Sequence, residues 1–108
     1  MAPLTILVAD DEANIRLFLR QLLIAAGHTV TDVGSAREAT DHLQRQAFDL
    51  VITDVLMPDG DGIDLITDVR RRQPRTRIVA MSGGGRYLEG SDYLKLATGL
   101  GAHAAIMK

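Results

Sequence analysis

Leu4-Thr5-Ile6-Leu7-Val8-Ala9-Asp10-Asp11 is an apolar run that ends abruptly in two carboxylates. The run is continuous rather than alternating and carries β-branched members, the pattern of a strand buried on both faces. Three later runs end in the same way. Leu50-Val51-Ile52-Thr53 is followed by Asp54, Ile78-Val79-Ala80-Met81 by Ser82, and Ala104-Ala105-Ile106-Met107 by Lys108. Between them the spacing becomes helical. Residues 12–26 place Ile15, Phe18, Leu19, Leu22, Leu23 and Ala26 on one face, and Gly27 supplies a C-terminal stop. Thr29 to Val33 reads as a short strand. Ser35-Ala36-Arg37-Glu38 has the form of a capping box, which predicts a second helix through Ala39 and Leu43 to Gln46. After the turn-rich Met57-Pro58-Asp59-Gly60-Asp61-Gly62, the residues Ile63, Ile66 and Val69 mark a third helix, ended by Gln73-Pro74. Arg77 to Met81 is the next strand. Gly83-Gly84-Gly85 and Gly90 predict a flexible loop, Tyr93 to Leu100 a short fourth helix, and His103 to Met107 a last strand.

Strands and helices that alternate in this way imply βαβ units and a parallel sheet with helices on both faces. Right-handed crossovers leave few topologies. In such open sheets ligands bind beyond the carboxyl ends of the strands. Asp10, Asp11, Asp54, Ser82 and Lys108 all stand at those ends, so sheet geometry gathers residues from opposite ends of the chain.

The bulk properties narrow the class. A length of 108 residues allows one domain, and a hydrophobic fraction of 46% is ample for a packed core. The absence of Cys excludes disulfides and thiolate metal sites. A formal charge of −2 implies no partner class. No apolar stretch approaches the ~20 residues that span a bilayer, and Met1-Ala2-Pro3 lacks the basic start of a signal peptide. A cytoplasmic protein without a membrane segment is the expectation. Arg70, Arg71, Arg72, Arg75 and Arg77 form a solvated helix end that complements the dipole. Without interleaved aromatics they do not read as a nucleic-acid surface. Asp59-Gly60-Asp61-Gly62 is no calcium loop, because the positions that need Gly and Glu hold Asp64 and Arg70. The glycine triplet lacks the Lys-Ser/Thr of a phosphate-binding P-loop, and no dinucleotide fingerprint follows the first strand.

Three carboxylates cannot share a small volume uncompensated, and a hard divalent cation resolves this. Mg²⁺ takes six oxygens and keeps several waters. Asp10, Asp11, Asp54, a backbone carbonyl and waters suffice. Such a site keeps Asp54 ionised and nucleophilic, and attack on phosphorus gives an acyl phosphate. Lys108 would then pair with the phosphoryl oxygens and Ser82 would donate a hydrogen bond to one of them.

The chain resembles the response-regulator receiver domains of two-component signalling, the CheY-like family. The resemblance rests on Val8-Ala9-Asp10-Asp11-Glu12, Asp54-Val55-Leu56-Met57-Pro58-Asp59-Gly60-Asp61-Gly62, Ile78-Val79-Ala80-Met81-Ser82, and Gly101-Ala102 ahead of Lys108. It covers nearly the whole chain. It implies an α/β fold, flavodoxin-like and doubly wound, with a five-stranded parallel sheet in the order 2-1-3-4-5. It implies that Asp54 is the phosphoacceptor, that Asp10, Asp11, Asp54 and the Leu56 carbonyl hold Mg²⁺, and that Ser82 and Lys108 bind the phosphoryl group. The implied donor is a histidine kinase or a histidine phosphotransfer protein. The implied reader is a downstream protein target or an output domain outside this chain. Slow self-dephosphorylation is expected, but not enzyme function.

The sequence departs from the family in three places. Ala105 stands where an aromatic switch residue is usual. The segment from Ser82 to Lys108 is longer than usual. The chain stops at Lys108, where the family continues with a fifth helix, so residues 1–108 read as a receiver truncated after its fifth strand. A bare apolar face of this kind would invite self-association into a homodimer. Two other classes compete with the phosphoacceptor reading. One is a phosphorylation-independent interaction module, which the complete residue set argues against. The other is an Asp-nucleophile phosphohydrolase, which needs a carboxylate where Leu56 stands.

Overall fold

The computed structural model describes residues 3–57, 60–82, 99 and 103–107, and for 56, 57, 60, 61, 82 and 105–107 it describes the backbone. The strands are β1 (Thr5–Ala9), β2 (Thr29–Val33), β3 (Leu50–Asp54), β4 (Arg77–Ser82) and β5 (Ala104–Met107). The helices are α1 (Ala13–Ala25), α2 (Ala36–Arg45) and α3 (Gly62–Arg72). All five strands join one parallel sheet in the order β2-β1-β3-β4-β5. The fold is the flavodoxin-like one that the resemblance implies. The predicted fourth helix lies outside the described residues, apart from Gly99.

Local chemistry sets the element ends. Ser35 is extended and accepts the Glu38 N–H at 3.1 Å, which starts α2 as the capping box predicts. At the end of α1, Gly27 takes a φ of 97°, its N–H donates to the Ile24 carbonyl at 2.9 Å, and the His28 N–H donates to the Leu23 carbonyl at 3.1 Å. This pairing closes the helix with a left-handed glycine. The turn-rich segment between β3 and α3 holds a short antiparallel ladder that the sequence does not announce, in which Leu56 pairs Asp61 and Met57 pairs Gly60.

Alternate residues of the inner strands face opposite layers. Leu7, Ala9, Val51, Ile78 and Ala80 pack with Ala39 and Leu43 of α2 and with Leu65, Ile66 and Val69 of α3. Ile6, Val8, Val30, Ile52 and Met81 meet α1 through Ile15, Leu19 and Leu23. Among the described residues the second layer is thinner. No residue of α1 is buried, and Leu17, Phe18, Leu22 and Ile24 remain exposed. Two histidines join neighbouring strand starts: His28 Nδ1 accepts the Leu4 N–H, and His103 Nδ1 accepts the Ile78 N–H, each at 3.0 Å.

Candidate functional site

The register brings the acidic residues level. Ala9 pairs with Thr53, so Asp10 and Asp54 leave adjacent strands at the same height. Asp10 is fully buried and Asp54 is 5% exposed, whereas Asp11 is exposed. One carboxylate oxygen from each of Asp10, Asp11 and Asp54 lies within 4.8 Å of the others. Two covered acids and one open to solvent make a cluster of carboxylate oxygens at the carboxyl edge of the sheet. That donor chemistry fits a hard divalent cation.

Of the other expected residues, the backbone locates Ser82, Leu56 and Ala105. Asp54 pairs with Met81, which makes Ser82 the next residue along β4. Ser82 in turn pairs with Met107, the last residue of β5. Leu56 lies two residues beyond Asp54, in the short ladder. Ala105 pairs with Ala80 inside β5. Lys108 lies outside the described residues.

Hydrogen bonds to β2, to Glu12 and to Arg16 help hold Asp10 in place. Its N–H donates to the Val33 carbonyl at 3.1 Å, its Oδ1 accepts the Glu12 N–H at 2.9 Å, and its carbonyl accepts Arg16 Nη1 at 2.7 Å. Asp54 is held from both sides of the chain. The Val55 N–H donates to the Met81 carbonyl at 3.0 Å, and the buried Thr53 hydroxyl donates to the Asp54 carbonyl at 2.9 Å.

Residues 6–108 match the family of the response regulator receiver domain. The chain belongs to that family. This receiver is 44% identical over 82 residues to the DNA-binding transcriptional regulator NtrC of Azospirillum brasilense, a match that covers 76% of this chain and 17% of NtrC. The receiver thus spans less than a fifth of that relative's length. It is 30% identical over 82 residues to the chemotaxis protein CheY of Thermotoga maritima, covering 75% of this chain and 68% of CheY. Among solved structures, it superposes on the response regulator TrrA of Thermotoga maritima in complex with Mg²⁺-BeF with a TM-score of 0.81 and 29% identity, covering 96% of this chain and 85% of that one. Receivers are signalling modules rather than classical enzymes. Among the described residues no helix is long and apolar enough to cross a membrane.

The structure adds positions to the receiver's site that sequence reading passed over. Gly62 opens α3 directly against the Asp54 backbone: a Cβ there would overlap the Asp54 carbonyl oxygen and lie 2.7 Å from Val55 Cα. In sequence it closes the turn-rich Asp54–Gly62 segment that carries the resemblance, but nothing there shows this contact. Arg16 and Thr53 touch the backbone of the acidic residues, and neither belongs to a recognisable motif. Of the arginine run, Arg70, Arg71 and Arg72 form the last turn of α3 as expected, whereas Arg75 lies beyond the helix and Arg77 begins β4. Arg71 and Arg72 each donate to Asp68 Oδ1 at 2.8 Å. His103, at the entry to β5, has its Nε2 3.5 Å from Arg70 Nη1.

Proposed function

We propose that this receiver is a phosphoryl-accepting switch in which Asp54 takes a phosphoryl group from a phosphohistidine on a histidine kinase or phosphotransfer protein. The observation that carries the reading is the convergence of Asp10, Asp11 and Asp54, with donor oxygens within 4.8 Å, at the edge where the parallel sheet gathers its strand ends. Asp10, Asp11, Asp54 and the Leu56 carbonyl would hold Mg²⁺. When bound, the cation neutralises charge on the carboxylates and on the incoming phosphoryl oxygens.

Asp54 acts as the nucleophile. One carboxylate oxygen forms a bond to phosphorus as the phosphorus–nitrogen bond to the donor imidazole breaks, and the imidazole leaves with a proton from solvent. The Thr53 hydroxyl and the Val55 N–H fix the backbone on either side of the reacting carboxylate. Ser82, one residue beyond the register partner of Asp54, would donate a hydrogen bond to a phosphoryl oxygen. Lys108, the residue after Met107, would supply the counter-charge. The new charge would bias the receiver between two states that differ at the face expected from the fourth helix and β5. That face would signal to a protein target or to an output domain outside this chain, and Ala105 puts no aromatic at the usual switch position. A cytoplasmic setting follows from such partners.

Labelling with a small phosphodonor tests the reading. The wild type is expected to incorporate phosphate only with Mg²⁺ present, and Asp54→Asn to incorporate none. Equal labelling of the two proteins would remove Asp54 as the acceptor.

A further inference from the structure

We infer that Arg16 is a positioning residue for the acidic pair, which sets cation affinity through the backbone of Asp10 without joining the donor set. The inference rests on reading Asp10, Asp11 and Asp54 as a cation site. Arg16 lies near the start of α1, with its side chain 23% exposed. Its Nη1 donates to the Asp10 carbonyl at 2.7 Å and its Nε to Asp32 Oδ2 at 3.3 Å. Asp32 belongs to β2, so one planar guanidinium ties the end of β1 to the neighbouring strand. The fork geometry of arginine allows this, and a lysine ammonium cannot reproduce it. Arg20 Nη1 holds the other oxygen of Asp32 at 2.8 Å. The guanidinium occupies space that Gly34 leaves open, since a Cβ there would lie 3.2 Å from Arg16 Nη1.

The consequence for binding follows from the turn. Asp10 and Asp11 sit between β1 and α1, and the Glu12 N–H donates to Asp10 Oδ1 within that turn. Arg16 is bonded to the turn's first carbonyl. A turn ordered beforehand binds more tightly than one that must be ordered on binding. A pure charge effect has the opposite sign. Removing a cation beside three carboxylates would strengthen Mg²⁺ binding, whereas loosening the turn weakens it. Asp32 offsets part of the guanidinium charge, so positioning is the larger effect.

Mg²⁺ titration by amide chemical shifts separates these effects. It is run alongside thermal unfolding and hydrogen exchange at Glu12, on the wild type, Arg16→Lys, Arg16→Met and Arg20→Gln. Both Arg16 variants are expected to weaken Mg²⁺ binding about tenfold, the scale seen when a group that orients a metal ligand is lost. They are also expected to speed exchange at Glu12. Arg20→Gln, whose parent side chain touches Asp32 and the Val30 carbonyl, is expected to bind Mg²⁺ like the wild type. Unchanged or tighter binding by Arg16→Met overturns the inference. So does an equal weakening in Arg20→Gln, which would mean a general loosening of the contact between α1 and β2. A wild type that does not bind Mg²⁺ overturns the cation reading and this inference with it. Binding by the wild type with equal affinity in the Arg16 variants overturns this inference alone.

Discussion

Gly62 shows how closely the proposed acceptor's backbone is packed at the scale of one residue. By helix propensity alone, alanine would stabilise such a position by about 1 kcal/mol. The added Cβ, however, would overlap the Asp54 carbonyl and come within 2.7 Å of Val55 Cα, both of them backbone atoms. Asp54 ends a central strand and is locked by its pairing with Met81, so it cannot yield cheaply. The overlap therefore wins, and Gly62→Ala is expected to lose roughly 1–3 kcal/mol, the usual cost of overpacking. Urea denaturation measures the loss, and labelling of Asp54 is expected to slow as well. A gain in stability would mean that the strand end relaxes freely. Neither Gly62 nor Arg16 is legible in the sequence as a site residue. Gly62 reads as one more turn glycine because its contact with Asp54 arises only once the short ladder folds the chain back. Arg16 looks like any other arginine, because its partners are a backbone carbonyl and an aspartate on another strand.

The elements themselves were largely readable, because their signals are local. Thr29–Val33 emerges as predicted, Ser35 caps α2, and Gly27 ends α1 in the left-handed conformation. Gln73 shows where local reading stops. The sequence marks it only as part of a helix end before Pro74, yet its side chain joins three elements. Nε2 donates to the Leu43 carbonyl at 3.0 Å and to the Gln46 carbonyl at 2.8 Å, while Oε1 accepts the Phe48 N–H at 3.0 Å. Gln73→Leu strips partners from the end of α2 and from the entry to β3, and is expected to cost about 1–3 kcal/mol. A lower urea midpoint with an unchanged slope checks this. Asp68 adds a pH dependence to α3. Burial opposes its charge, but hydrogen bonds and charge from Arg71 and Arg72 outweigh that and hold its carboxyl below the ordinary 3.8. A depressed folded value means the contribution is present at neutral pH and is lost as pH falls through that value. The stability of Asp68→Asn should therefore fall less steeply with acidification than the wild type's. Parallel acid limbs in the two proteins would show that the ion pairs contribute nothing.

Across the whole molecule, the site is a product of strand order, which the alternating apolar runs made legible. Placing β1 between β2 and β3 puts Asp10 beside Asp54, and pairing β4 with β3 brings Ser82 to the same edge. The sequence could name the strand-end residues, but not which would be covered, because burial depends on both layers. Among the described residues those layers are unequal: α2 and α3 supply a closed core, while α1 leaves Leu17, Phe18, Leu22 and Ile24 exposed. Two buried carboxylates and one exposed one within 4.8 Å repel one another, and a bound cation would relieve that repulsion. Under the proposed function, Mg²⁺ binds the folded state and not the open chain. At a hundred times its dissociation constant it should stabilise the fold by about 2.7 kcal/mol, or on the order of 10 °C in midpoint for a domain of this size. Asp54→Asn removes one of the repelling charges. Its metal-free midpoint should exceed the wild type's, and its Mg²⁺ increment should be smaller. Asp11→Ala, which loses the solvent-facing donor, should retain little increment. Thermal unfolding of the three proteins with Mg²⁺ and with a chelator decides the matter. A wild-type midpoint that ignores Mg²⁺ would mean that the acidic cluster carries its charge without a cation.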